Sequence, residues 1–91
     1  AVEDKILITH GTDTMVDTAR VLSTIADKLI VLTGASQPYS FRKSDAEFNI
    51  GVAVGALNTL SNGVYIAMNG RYFTHDNCRK NKKTGQFEEI K

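Results

Sequence analysis

The sequence contains no tryptophan, one cysteine and one proline in 91 residues, and its formal net charge is only +1. So balanced a charge gives no electrostatic reason to expect nucleic acid or an anionic membrane surface as a partner. Apolar stretches reach about five residues, far short of the ~20 that span a bilayer, and no signal peptide is visible. The lone Cys78 cannot close an internal disulfide, which fits a reducing, cytoplasmic compartment. No GxGxxG or GxxxxGK[ST] pattern occurs, so no nucleotide and no other cofactor is expected. His75, Asp76 and Cys78 are too sparse for zinc, which needs four ligands in paired spacing, so no metal is expected either. Internal repeats and low-complexity linkers are also absent.

What is present is ordinary for a globular chain: 42% hydrophobic and 23% charged residues. Ninety-one residues allow a single domain, burying roughly 60–65% of the surface of the unfolded chain. The first residue is Ala1 rather than Met, which points to processing or to a fragment. Three apolar runs read as strands: 5–9, 29–33 and 64–68. Each is nearly continuous rather than alternating, the pattern of parallel strands covered on both faces. Between them the spacing predicts two helices. The first covers roughly 14–26, with Met15, Ala19, Leu22, Ile25 and Ala26 on one stripe and Thr12 or Asp13 as cap. The second covers roughly 45–60, with a capping-box spacing in Ser44-Asp45-Ala46-Glu47 and an apolar stripe of Phe48, Val52, Ala56 and Leu60. Gly51 and Gly55 cost helix propensity and are expected to permit close backbone packing.

The expected fold is α/β, a three-layer Rossmann-like (flavodoxin-like) partial parallel sheet with a β-α-β-α-β core and right-handed crossovers. Residues 34–43 form a polar loop, and 69–91 are polar and rich in turn formers. A hairpin is expected between 78–82 and 86–90, turning at Lys83-Thr84-Gly85-Gln86. Three parallel strands leave two open edges, which need a partner subunit or further sequence to cover them.

Every expected strand ends in small or polar residues: Thr9-His10-Gly11-Thr12-Asp13, then Thr33-Gly34-Ala35-Ser36-Gln37, then Asn69-Gly70. In a parallel sheet these ends lie side by side, where open α/β sheets bind ligands. Thr12 and Asp13 therefore share a crevice with Gly34, Ala35 and Asn69, or else they only cap a helix. A hydroxyl nucleophile needs a base. Asp13 or a lysine from Arg79-Lys80-Asn81-Lys82-Lys83 could serve, although from the residues alone that cluster reads first as a solvated basic turn. His10 reads as a structural residue with its ring hydrogen-bonded at a strand end.

Ile8-Thr9-His10-Gly11-Thr12-Asp13-Thr14-Met15, followed by Thr18-Ala19, resembles the second signature of bacterial L-asparaginases. The resemblance extends through Leu32-Thr33-Gly34-Ala35, Pro38, Ser44-Asp45 with Asn49, Val64-Tyr65-Ile66-Ala67-Met68-Asn69 and Lys80, and so covers nearly the whole chain. Short-chain members are the most similar, including around Lys80-Asn81 and Phe87-Glu88. It implies that residues 1–91 are one partial domain of the asparaginase N-terminal type, an amidohydrolase converting L-asparagine, and more weakly L-glutamine, to the acid and ammonia. It also implies a catalytic set of Thr12, Asp13 and Lys80, with substrate held at Gly11, Thr12, Asp13 and Ala35. Asp13 would receive the α-ammonium, the Thr12 backbone N–H would sit in the oxyanion hole, and Ala35 would contact the side-chain amide.

The family's earlier Gly-Gly-Thr segment, usually assigned the covalent nucleophile, has no counterpart before residue 5, so Thr12 is expected to be the supporting threonine. The family also implies a homo-oligomer with sites at an intimate interface. Two other functions compete. One is a non-catalytic module that binds a small amino acid. The other is a subunit of the tRNA-dependent amidotransferase that shares the signature, which the near-neutral charge does not favour.

Overall fold

The computed structural model describes residues 4–25, 27–35 and 45–91. Strands β1 (Lys5–Thr9), β2 (Leu29–Thr33) and β3 (Gly63–Met68) alternate with helices α1 (Met15–Leu22) and α2 (Ala46–Thr59). Three further strands follow: β4 (Arg71–Thr74), β5 (Arg79–Lys80) and β6 (Phe87–Glu88). The main sheet has the order β1-β2-β3-β4, parallel over the first three strands and antiparallel at the last. β5 and β6 form a small antiparallel sheet of their own. The α/β class and layered core expected from sequence are present, with the sheet mixed rather than wholly parallel.

β2 lies between two neighbours and all five of its residues are buried, as an unbroken Leu-Ile-Val-Leu run requires. Successive strand side chains point to opposite faces, and the two faces have different helices. Ile30 and Leu32 pack with Met15 and Ala19 of α1, alongside Val64, Ile66 and Met68. Leu29 and Val31 pack with Ala53 and Ala56 of α2 and with Ala67. Cys78 and Phe87 join the α1 side, seating the β5–β6 hairpin on that layer.

This arrangement overturns the expectation of two right-handed crossovers. β1, β2 and β3 are adjacent, parallel and in chain order. Two crossovers of one hand stepping in one direction would put both helices on the same face. The helices lie on opposite faces, so one crossover is left-handed, against the usual ~98% preference.

Several local expectations also change. α1 ends at Leu22, because the Ser23 and Thr24 hydroxyls donate back to the carbonyls of Arg20 and Val21 and the chain turns at Asp27 (φ 64). Met15 and Ala19 are buried as expected, Leu22 is half-buried and Ile25 is exposed; Ala26 lies outside the described residues. Neither Thr12 nor Asp13 caps α1. Its N-cap is Thr14, without a side-chain bond. On α2 the buried stripe is Ala46, Asn49, Ala53 and Ala56, not the stripe through Phe48, which is 63% exposed. Small residues let the helix lie close to the sheet, while Val52 and Leu60 pack at its margins.

The two helix glycines are not needed for that approach. A Cβ on Gly51 would meet nothing within 4 Å, and one on Gly55 would make ordinary contact with Tyr72 at 3.7 Å. Ser44 of the expected capping box, Pro38 and the 36–43 part of the polar loop lie outside the described residues.

The β3 edge, expected to be open, is paired with β4, which becomes the sheet's outer strand on that side. Asn69-Gly70, with φ of 56° and 76°, turns β3 directly into β4 through a two-residue hairpin loop, Met68 pairing with Arg71. Positive φ at both positions is the type I′ requirement, and Asn-Gly is its preferred sequence. No strand pairs with the outer edge of β1 among the described residues. No described helix is long and apolar enough to cross a membrane.

Candidate functional site

The site grows from the opposite placement of the two helices. The His10 N–H donates to the Thr33 carbonyl at 2.9 Å, carrying the β1–β2 pairing one residue past the strand. Beyond it the chain leaves β1 for α1 on one face and β2 for α2 on the other. The two turns therefore diverge at the carboxyl ends of the strands, the side on which open α/β sheets bind ligands. The approach between them is tight: a Cβ on Gly34 would lie 2.2 Å from the His10 carbonyl oxygen. His10 braces the first turn. Its Nδ1 donates to the Gly11 carbonyl at 2.6 Å, and its Nε2 lies 2.9 Å from the Thr18 hydroxyl of α1. A carbonyl can only accept, so Nδ1 carries a proton; the Thr18 hydroxyl can serve Nε2 as donor or as acceptor. This is the structural role expected from sequence.

Lys80 reaches this turn from 67 residues away. It stands on β5 opposite Phe87 of β6, whose ring is buried in the core. The hairpin loop is built by Asn81. Its side-chain oxygen accepts from the backbone N–H groups of Lys83 and Thr84, while its own backbone pairs with Gln86 and Gly85. The Arg79–Glu88 ion pair at 2.7 Å flanks the strands. Lys80 Nζ donates to Thr12 Oγ1 and to Asp13 Oδ1, each at 2.8 Å.

That double donation explains why neither residue caps α1: both side chains are turned toward the lysine. Within the basic cluster, Lys80 is 23% exposed and paired with these two side chains rather than solvated. Asp13 is 91% exposed, so the pair adds little to stability. What it fixes is geometry. The hydrogen bond from Lys80, then its charge, and more weakly the charge of Lys82, hold the Asp13 carboxyl below its usual range against a small opposing effect of desolvation.

A cavity of about 630 Å³ adjoins the three residues, lined also by Arg20 and Asp17 of α1, Cys78 and Lys82. Burial pushes the Cys78 thiol up to about 11, so it stays protonated. Gly11 and Ala35 do not line this cavity. Gly11 is exposed on the turn itself, and Ala35 is half-buried two residues beyond the Thr9–Thr33 pair, on the neighbouring strand end. Asn69 is not free to face a ligand with its oxygen, because Oδ1 accepts the Phe87 N–H at 2.7 Å. Asn49, 1% exposed, is a residue that sequence reasoning does not place in the site. From α2 its Nδ2 donates to the Gly34 carbonyl at 2.8 Å and to Asp45 at 3.1 Å, tying down the second turn. Its spacing from Asp45, one helical turn, and its place in the family resemblance are the sequence signals that single it out. No group of three or more potential metal ligands occurs among the described residues.

Chemically, the cluster holds a hydroxyl, a carboxylate and an ammonium with both short bonds donated by the ammonium. Thr12 Oγ1 accepts from Lys80, which leaves its own proton to be given elsewhere, the arrangement of a hydroxyl poised in a proton relay.

Comparison with known proteins gives the same direction. A family model described as "Asparaginase, N-terminal" matches residues 3–89. A glutamyl-tRNA(Gln) amidotransferase component from Methanococcus vannielii is 45% identical over 67 residues, covering 71% of this chain and 16% of that protein. The glutaminase-asparaginase of Acinetobacter glutaminasificans is 40% identical over 73 residues, covering 75% of this chain and 22% of that protein. Among solved structures, a probable cytoplasmic L-asparaginase from Campylobacter jejuni superposes with a TM-score of 0.85 at 32% identity, covering 97% of this chain and 29% of the other. The chain thus spans under a third of the length of these relatives.

Proposed function

The chain belongs to the asparaginase family, through that family's N-terminal domain, and from this premise we propose that Thr12, Asp13 and Lys80 serve the hydrolysis of a side-chain amide. The substrate is L-asparagine, with L-glutamine as a second one, and the products are the acid and ammonia. The double donation from Lys80 carries the proposal.

The chemistry is acyl transfer. A threonine hydroxyl attacks the amide carbon, an ester forms, and the C–N bond breaks. The hydroxyl proton passes through the relay to the departing nitrogen, which leaves as ammonia. Water then cleaves the ester and restores the hydroxyl. Thr12 is the supporting hydroxyl in this scheme, and the acyl-accepting threonine comes from outside residues 1–91. Asp13, exposed and ionised, receives the substrate's α-ammonium. The Thr12 backbone N–H stabilises the developing oxyanion; Gly11 and Ala35, on the two strand ends beside the cavity rather than in its lining, contact the substrate from there.

In a protein that joins residues 1–91 to the segment supplying the acyl-accepting threonine, Thr12→Val and Lys80→Met each lower ammonia release from L-asparagine by about 10²–10⁴-fold, with the melting temperature little changed. Full activity in either variant removes the assignment.

A second substrate reading rests on the similarity to the M. vannielii amidotransferase component, in which the same chemistry would supply ammonia for amide transfer on tRNA. Faster ammonia release from L-glutamine than from L-asparagine favours it. We also infer a homo-oligomer and a cytoplasmic location. The exposed Phe48 and Val54 on α2 and the unpaired β1 edge support the first, and sedimentation at the monomer mass would count against it. The single buried thiol and the similarity to a protein named cytoplasmic support the second.

A further inference from the structure

We propose that Asn69 is a positioning residue for Lys80: its side chain clamps the β5–β6 hairpin to the end of β3 and so sets where the ammonium meets Thr12 and Asp13. The proposal rests on the reading that Lys80 serves catalysis. Four observations carry it.

First, β5 and β6 are a sheet apart from the main one, so no shared strand ladder locates Lys80 relative to β1. Second, Lys80 stands directly opposite Phe87 in that hairpin. The backbone N–H of Phe87 is the group that Asn69 Oδ1 binds, at 2.7 Å. Third, Asn69 is itself immobilised. It occupies the left-handed region at φ 56° in a two-residue turn between paired strands of the main sheet, and few residues accept that conformation. Fourth, the other attachments of the hairpin lie elsewhere. Asn77 accepts the N–H groups of Ile90 and Lys91 near the chain's end, and Arg71 pairs with Glu89. Apart from the bonds of Lys80 itself to Thr12 and Asp13, the Asn69 bond is, among the described residues, the polar tie at the level of Lys80. Because the atom facing a donor N–H must be the amide oxygen, the orientation of the side chain is also fixed.

Two substitutions separate the tie from the turn. Asn69→Gly keeps a backbone suited to the type I′ turn and removes the acceptor. Asn69→Asp keeps an oxygen in the same place and tolerates the same φ. If Asn69 positions Lys80, Asn69→Gly lowers kcat by about tenfold to a hundredfold, the scale of a misplacement near 1 Å. KM then changes by less than about threefold, since Asn69 does not line the cavity. Amide exchange at Phe87 accelerates in the same variant, and Asn69→Asp restores both readouts.

Wild-type kcat in Asn69→Gly overturns the proposal, as does a folded Asn69→Asp whose kcat is reduced like that of the glycine variant. Lys80→Met, measured in parallel, keeps the two layers distinct. Activity retained in Lys80→Met removes the catalytic lysine and this proposal with it. Activity lost in Lys80→Met but kept in Asn69→Gly removes the positioning role alone.

Discussion

Lys80 shows how one side chain can change the meaning of two others. From local sequence Thr12 and Asp13 look like helix caps, since Ser, Thr, Asp and Asn dominate that position. Only a residue 67 places further on turns them away. Resemblance to the asparaginases makes the pairing legible; composition and periodicity alone leave Lys80 in a basic turn. The role of Asn69 is not legible, because a side chain that spans two sheets leaves no periodic trace.

The Lys80 contact has a measurable signature at Asp13, whose carboxyl is held low mainly by the hydrogen bond from the lysine. In Lys80→Met the Asp13 pKa, followed by NMR titration, rises toward the ordinary carboxylate value. The sign for stability follows. A depressed folded pKa favours the native state above the unfolded pKa. That contribution is lost as pH falls through the folded value, and Lys80→Met removes this part of the acid dependence. An unchanged Asp13 titration would mean that the contact does not persist in solution.

At the scale of elements, apolar runs identify β1, β2 and β3, whereas they mislead about the face of α2. A stripe of residues four apart points to Phe48, but large side chains are not what this helix lays against the sheet. Alanines at 46, 53 and 56 do, and their small size makes them inconspicuous. β4 escapes a search for apolar runs although its turn is in view: Asn-Gly between apolar segments is a strong hairpin signal.

The glycines separate by their surroundings. Gly51→Ala gains about 1 kcal/mol of helix propensity, because no atom lies within 4 Å of the added methyl. Gly34→Ala drives its methyl into the His10 carbonyl oxygen at 2.2 Å and costs about 3 kcal/mol or more. Urea melts of the two variants should move in opposite directions; a shift of the same sign for both would contradict the packing described.

For the molecule as a whole, the layered α/β class follows from strand and helix order, but the hand of the crossovers does not. Sequence order carries no chirality, and the general rule favours the wrong choice for one of the two. The exception matters because it separates the two outgoing turns. With both helices on one face, the β1 and β2 turns would leave in the same direction. Cover for the β1 edge is the matching question at this scale, since an unpaired parallel edge offers a template for another strand.

The small β5–β6 sheet has a further consequence. Two strands of two residues each, held by one core ring and a few polar ties, belong to the part of a fold that opens at low free energy. The lysine is therefore carried by the piece that detaches first. On warming, activity should fade while the main sheet is still intact, so that the midpoint of inactivation lies below the midpoint of the far-ultraviolet melt. Coincident midpoints would show that the hairpin and the sheet come apart together. With the inactivation midpoint the lower of the two, the hairpin acts as a fuse, disabling the chemistry before the fold fails.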